Sequence, residues 1–299
     1  MERTSSVNAK DDVPVAGGGA LAVYRLCEGS PSVVAVHGVT ANSHSWLAVA
    51  RELSGRVSLL APDLRGRGRS NGLTEPYGIA AHAQDMLAVL DHFSLERAVL
   101  VGHSLGAYVV ARLAAEHPER VTALVFVDGG LTAPVAEDVD PQRFVEGFLG
   151  PTLARLRMRF GSREEYHAWW RRHPTFAAGD VEERSLVGFA DHDLVGDEPS
   201  LRSSVSEEAV RGDAADMFTM GEPAHRLTVP VTLMCAPRGL LDDPNPVQPL
   251  DLVRPWSAQA PTQRRVLAVD DVNHYTIALG RRGAKAVAAA VDEAVRAGT

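Results

Sequence analysis

Gly102-His103-Ser104-Leu105-Gly106 joins two stretches of different periodicity, and that junction constrains the fold more than any other feature of the chain. Upstream, Arg97-Ala98-Val99-Leu100-Val101 is a short apolar run of strand length. Downstream, residues 107–117 have the spacing of an amphipathic helix and stop at Pro118. A serine between two glycines at a strand-to-helix junction predicts the tight turn of a nucleophile elbow. Gly102 and Gly106 are needed there because a β carbon at either place would meet the neighbouring strand or helix. The turn lifts the Ser104 hydroxyl clear of the sheet. It also leaves the Leu105 backbone N–H free at a helix N-terminus, where it can stabilise an oxyanion.

The remaining chain supplies the sheet such a turn needs. Residues 1 to about 12 read as a loose polar tail. Residues 13–16 and 20–26, joined by Gly17-Gly18-Gly19, read as a hairpin. Strands are then expected at 32–36, 57–61, 98–101 and 121–127, with helices at 45–53, 79–93 and 105–117 between them. This alternation predicts an α/β fold, a doubly wound and mostly parallel sheet with helices on both faces. The pattern breaks after Gly130, where helical segments at 141–160, 163–173, 181–189 and 206–218 follow one another without strands. Strands return at 230–236 and 265–269, before a last helix at 281–297. The expected division is a core of 1–130 and 228–299 carrying an inserted helical cap of 131–227, a size that 299 residues accommodate.

Composition excludes several classes. The net charge is −8, and the arginines are interspersed with acidic residues, so no nucleic-acid surface is expected. No run approaches the ~20 apolar residues of a membrane span, and the polar N-terminus lacks the apolar core of a secretory signal. Cys27 and Cys235 lie in strand-like runs and read as buried reduced thiols, consistent with a cytoplasmic protein without membrane partners. Two cysteines without a histidine cluster argue against a structural zinc site, and no metal or organic cofactor is expected.

Four motifs in order resemble the α/β-hydrolase family, in particular its members with a helical cap. His37-Gly38-Val39 follows a strand, like the family's oxyanion loop. Asp63-Leu64-Arg65-Gly66-Arg67-Gly68-Arg69-Ser70 follows the next strand, like its Asp-x-Arg-Gly-x-Gly-x-Ser segment. The elbow is third, and Val272-Asn273-His274-Tyr275 stands where the family carries its catalytic histidine. Haloalkane dehalogenases and epoxide hydrolases of this fold attack with an aspartate at the elbow, whereas this chain has Ser104. A serine alkoxide suits carbonyl carbon, because negative charge then develops on an oxygen that backbone N–H groups can hold.

The resemblance implies Ser104 as nucleophile, His274 as base, and the backbone N–H groups of Val39 and Leu105 as the oxyanion hole. For the acid, Asp128, which ends Leu124-Val125-Phe126-Val127, comes first, with Asp242 and then Asp243 after the following strand as the alternatives. His37 holds loops together or touches substrate, and His103 is packed. His82, His92, His117, His167, His173 and His225 read as ordinary surface or core residues. Trp46, Trp169 and Trp170, with Phe148, Phe160, Phe189 and Phe218, pack together or line a substrate pocket. Residues 63–70 read as a turn fixed by Asp63, and Asp191-His192-Asp193 as a solvated helix face. The implied activity is hydrolysis of a small, largely apolar carboxylic ester or lactone through an acyl-enzyme. A thioesterase, amidase or carbon–carbon bond hydrolase would use the same residues, and a ligand-binding protein without catalysis could keep them. Nothing in the sequence indicates an oligomeric state.

Overall fold

The computed structural model describes residues 9–132, 147, 150, 153–177, 179–216, 219–260 and 262–298. Among them, eight strands form one sheet: β1 (Ala9–Pro14), β2 (Ala20–Cys27), β3 (Ser32–Val36), β4 (Ser58–Pro62), β5 (Ala98–His103), β6 (Val121–Val127), β9 (Val231–Cys235) and β10 (Arg264–Ala268). Their order is β1-β2-β4-β3-β5-β6-β9-β10, antiparallel at β1-β2 and β2-β4 and parallel from β4 onward. The doubly wound sheet is therefore present. Instead of a loose tail to about residue 12, Ala9–Pro14 is an edge strand whose residues pair with β2 from Ala9↔Arg25 onward.

The buried strands read as continuous apolar runs because each face of the sheet is covered. Alternation divides them: Val34, Val36, Leu100, Leu124 and Phe126 pack under α2 (Ile79–His92), α3 (Leu105–Glu116) and α7 (Leu250–Ala258). Val33, Ala35, Val99, Val101, Val125 and Val127 pack under α1 (Leu47–Leu53) and α9 (Arg281–Gly298). The helix α7 escapes sequence reading because Pro249 precedes it and Pro255 lies inside it. A one-turn helix, α8 (Thr276–Leu279), was likewise unforeseen.

Between β6 and β9, the described residues hold α4 (Arg163–Arg172), α5 (Glu183–Asp193) and α6 (Glu207–Ala214). This stretch is not purely helical. Two short antiparallel strands, β7 (Leu194–Val195) and β8 (Arg202–Ser203), lie between α5 and α6. Half of the helix expected over 141–160 lies outside the described residues, and of the described half, residues 147, 150 and 153–156 are helical. Its last part differs from expectation, since Phe160 forms a β-bridge with Leu201. Among the described residues, no helix is long and apolar enough to cross a membrane. Cys27 and Cys235 are both buried free thiols.

Candidate active site

Ser104 sits between the end of β5 and the start of α3 with φ 53° and ψ −119°, in a region where non-glycine residues are strained. Two glycines make the turn possible. A β carbon on Gly102 would lie 2.3 Å from the Gly106 carbonyl oxygen, and one on Gly106 would lie 2.1 Å from that of Val36. The Ser104 N–H donates to the Val127 carbonyl at 3.0 Å, which fixes the turn against β6.

The register of the sheet brings the second motif alongside. Val36 pairs with Gly102, so His37-Gly38-Val39 leaves β3 next to His103-Ser104-Leu105. A β carbon on Gly38 would stand 3.2 Å from Ser104 Cβ. His37 is fully buried. Its Nε2 accepts from Leu64 N–H at 3.0 Å, so Nδ1 carries the proton and donates to the Gly38 carbonyl at 2.7 Å. Burial, only partly offset by Asp63, pushes the His37 pKa down to about 4 and keeps the ring neutral. Both of its nitrogens are therefore spent on the loop, and the suggested substrate contact at His37 has no exposed ring atom to serve it. The peptide group held by His37 is the one whose N–H belongs to Val39. Among the described residues, neither Val39 N–H nor Leu105 N–H has an acceptor.

His274 lies in the loop between β10 and α8 and is 3% exposed. Its backbone N–H donates to Arg238 O at 3.0 Å. His103 donates from Nε2 to the carbonyl of His274 at 2.8 Å, so the residue before Ser104 holds this loop directly over the elbow. Burial, with the nearby His274, lowers the His103 pKa to about 3. The ring of His274 donates from Nδ1 to Asp128 Oδ2 at 2.7 Å, leaving Nε2 as its acceptor.

The three open carboxylates occupy different surroundings. Asp128 is fully buried, and its other oxygen, Oδ1, accepts from Ala236 N–H at 3.1 Å. Asp242 is bound to Arg238 Nε at 2.6 Å and to Asn273 Nδ2 at 2.9 Å. Asp243 caps its own turn, accepting from Asn245 N–H at 3.0 Å. Only Asp128 of the three contacts His274. Sequence reasoning passed over Asn273, which caps α8 by accepting from Thr276 N–H at 2.9 Å and donates to Thr175 O at 2.9 Å. An asparagine three residues before a threonine at a helix start is a signal that could have found it.

Trp169 and Trp170 line a cavity of about 480 Å³ with His173, Leu240, Val247 and Tyr275, the residue after His274. Trp170 also packs edge-on against Phe189, with ring centroids 5.3 Å apart. Trp46 is fully buried in the core, and Phe148 and Phe218 lie outside the described residues. Arg155 in its wall pairs with Asp193 at 2.9 Å, and the Asp243 carboxylate, also in the wall, accepts from Asn245 N–H.

The expected solvated face at Asp191-His192-Asp193 is corrected. His192 and Asp193 are both buried, and His192 Nε2 donates to Asp63 Oδ2 at 2.7 Å. Asp193 takes hydrogen bonds from Arg155, Tyr166, Ser203 and Ser204. Asp63 does fix its turn, accepting from Ser43 N–H and Arg69 N–H at 2.8 Å each. Burial pushes its pKa up, but His192 and the Arg69 N–H outweigh this and hold it down at about 2.

A family model described as the alpha/beta hydrolase fold matches residues 31–193. Over 162 residues the chain is 35% identical to lipase LipV of Mycobacterium tuberculosis, covering 53% of this chain and 59% of that protein. It is 36% identical over 113 residues to the uncharacterized protein Rv2715 of the same organism, covering 38% of this chain. The chain spans about a third of the length of that relative, 33%. The solved structure of E-2-(acetamidomethylene)succinate hydrolase superimposes with a TM-score of 0.77 at 21% identity, over 96% of this chain and 99% of the other, a likeness of fold. The match over more than half of the sequence places this chain in the alpha/beta hydrolase family.

Proposed function

We propose that the protein is a serine hydrolase that cleaves a carboxylic ester, open-chain or lactone, through an acyl-enzyme. Ser104 Oγ attacks the carbonyl carbon while His274 Nε2 takes its proton. Asp128 holds the imidazole in the required tautomer and stabilises the imidazolium. The oxyanion formed lies between the N–H groups of Val39 and Leu105, which develop their strongest hydrogen bonds only as charge appears. The imidazolium then protonates the leaving alcohol, and water deacylates Ser104 with the same base. Residues 131–227 act as a cap over this site. The aromatic wall of the cavity beside Tyr275 suits an apolar or aromatic portion of the substrate.

The observation that carries this reading is the 2.7 Å contact of His274 Nδ1 with Asp128, on a loop that His103 fastens to the elbow. The test is fluorophosphonate labelling of the purified protein, with Ser104→Ala as control, followed by a panel of esters, lactones, thioesters and amides. Stoichiometric label on the wild type and none on the variant supports an activated serine. A well-folded wild type that takes no label and turns over no ester overturns the proposal.

A further inference from the structure

Two buried arginines donate to consecutive carbonyls of the oxyanion loop. Arg67 Nε reaches Val39 O at 2.9 Å, and Arg155 Nη2 reaches Thr40 O at 3.2 Å. Arg67, in the loop after β4, is tied to an aspartate between residues 131 and 227, whereas Arg155 lies within that stretch itself and is tied to an aspartate of the same stretch. Arg67 Nη2 pairs with Asp213 Oδ2 at 2.5 Å, and Arg155 Nη1 with Asp193 Oδ2 at 2.9 Å. All four side chains are at most 5% exposed. Asp213 is anchored again by Gly78 N–H at 2.8 Å and His82 Nε2 at 2.9 Å. The side chain of Val39 packs against Leu153, Leu156, Val205, Val210 and Ala214 of the same insertion.

We infer that Arg67 and Arg155 are positioning residues for the oxyanion hole, and that Asp213, through Arg67, and Arg155 itself make the shape of that hole depend on the seated cap. The inference rests on the hydrolase reading above. His37 fixes the Gly38–Val39 peptide from one side. The two arginines fix the next two carbonyls from the other, so the torsions around Val39 have little freedom left. A planar guanidinium suits this role because it spans a carboxylate and a carbonyl in one rigid fork. Its charge cannot remain unpaired when buried, so each arginine requires its aspartate. When the cap is displaced, both carbonyl anchors loosen, and Val39 N–H loses its fixed aim beside Ser104.

A simple docking role would produce similar contacts, so the test separates kcat from stability. Hydrolysis of p-nitrophenyl butyrate by the full chain is compared for wild type, Arg67→Met, Arg67→Met/Asp213→Leu, Arg155→Met and His192→Phe. Circular dichroism and thermal midpoints are measured for each. The double variant removes both charges and serves if the single one fails to fold. His192→Phe breaks a buried contact between the cap and Asp63 that does not touch Val39 or Thr40. The arginine variants should lose about 10- to 100-fold in kcat, below the full loss of one oxyanion donor, with KM moving less than about threefold. Fluorophosphonate labelling of Ser104 should slow in parallel. His192→Phe should lower the midpoint while keeping kcat. Folded arginine variants with wild-type kcat overturn the inference, as does an equal loss of kcat in His192→Phe. A wild type that does not label fails the hydrolase reading itself, a different result from labelling that arginine substitution leaves untouched.

Discussion

Ser104 and Asp128 leave neighbouring parallel strands at the same level. His103 pairs with Val127, and the next residue on each strand takes a left-handed φ, 53° at Ser104 and 50° at Asp128. The same sheet register thus brings these two residues side by side, and His274, in the loop after β10, donates from Nδ1 to Asp128.

Asp128→Asn should therefore abolish most activity. By analogy with other triads, kcat should fall about 10⁴-fold, because an amide no longer selects the tautomer that leaves Nε2 free. Asp242→Asn should stay near the wild-type rate, since Asp242 serves Arg238 and Asn273. Steady-state kinetics on a single ester substrate check both.

Gly106→Ala should destabilise the fold. Its new methyl group would lie 2.1 Å from a backbone oxygen of β3, which cannot move aside as a side-chain tip could. Overpacking of this kind typically costs about 1–3 kcal/mol, and a backbone clash belongs at the upper end. Urea midpoints at constant m-value measure it.

Acid should weaken the fold through His37. Its folded pKa is pushed down to about 4, against 6.5 for an ordinary histidine. The stabilisation is complete above about pH 6.5 and is lost as the pH falls toward 4, where the unfolded chain takes up a proton that the folded one refuses. The loss is on the order of 3 kcal/mol across that window. His37→Asn should show a shallower dependence of urea midpoint on pH between 7 and 4.5, a range set by that linkage. An unchanged slope would remove His37 from the account.

Trp169→Ala should act on binding. KM for an aryl-substituted ester should rise about two- to tenfold, the worth of one aromatic contact. KM for an acetate ester of a small alcohol should change less, since it leaves the aromatic wall untouched.

Local patterns made much of the core legible. The strands at Ser32–Val36 and Val121–Val127 follow the sequence expectation residue for residue, because each is an apolar run bounded by turn residues. The elbow was readable because glycine at 102 and 106 answers a local steric demand. The sequence favours Asp128 as the partner of His274 but leaves Asp242 and Asp243 as alternatives, since all three follow core strands and differ only in long-range partners. His192 and Asp193 were misread for a related reason. Their helix is polar by composition, and their burial comes from Asp63 and Arg155, which lie outside any periodicity window. Arg67 likewise sits in a glycine-rich turn whose partner, Asp213, is 146 positions away.

The stretch proposed as a cap begins within three residues of Asp128, a position that invites the exchange of one cap for another. The arginine pairs restrict that freedom. A chimaera with a foreign segment there would bring no counterpart to Asp213, and Arg67 would be left as a bare buried cation beside the Val39 carbonyl. Transplantation of this core therefore requires either a co-inherited aspartate in the place of Asp213 or a simultaneous neutral replacement at position 67, so the two parts must change together.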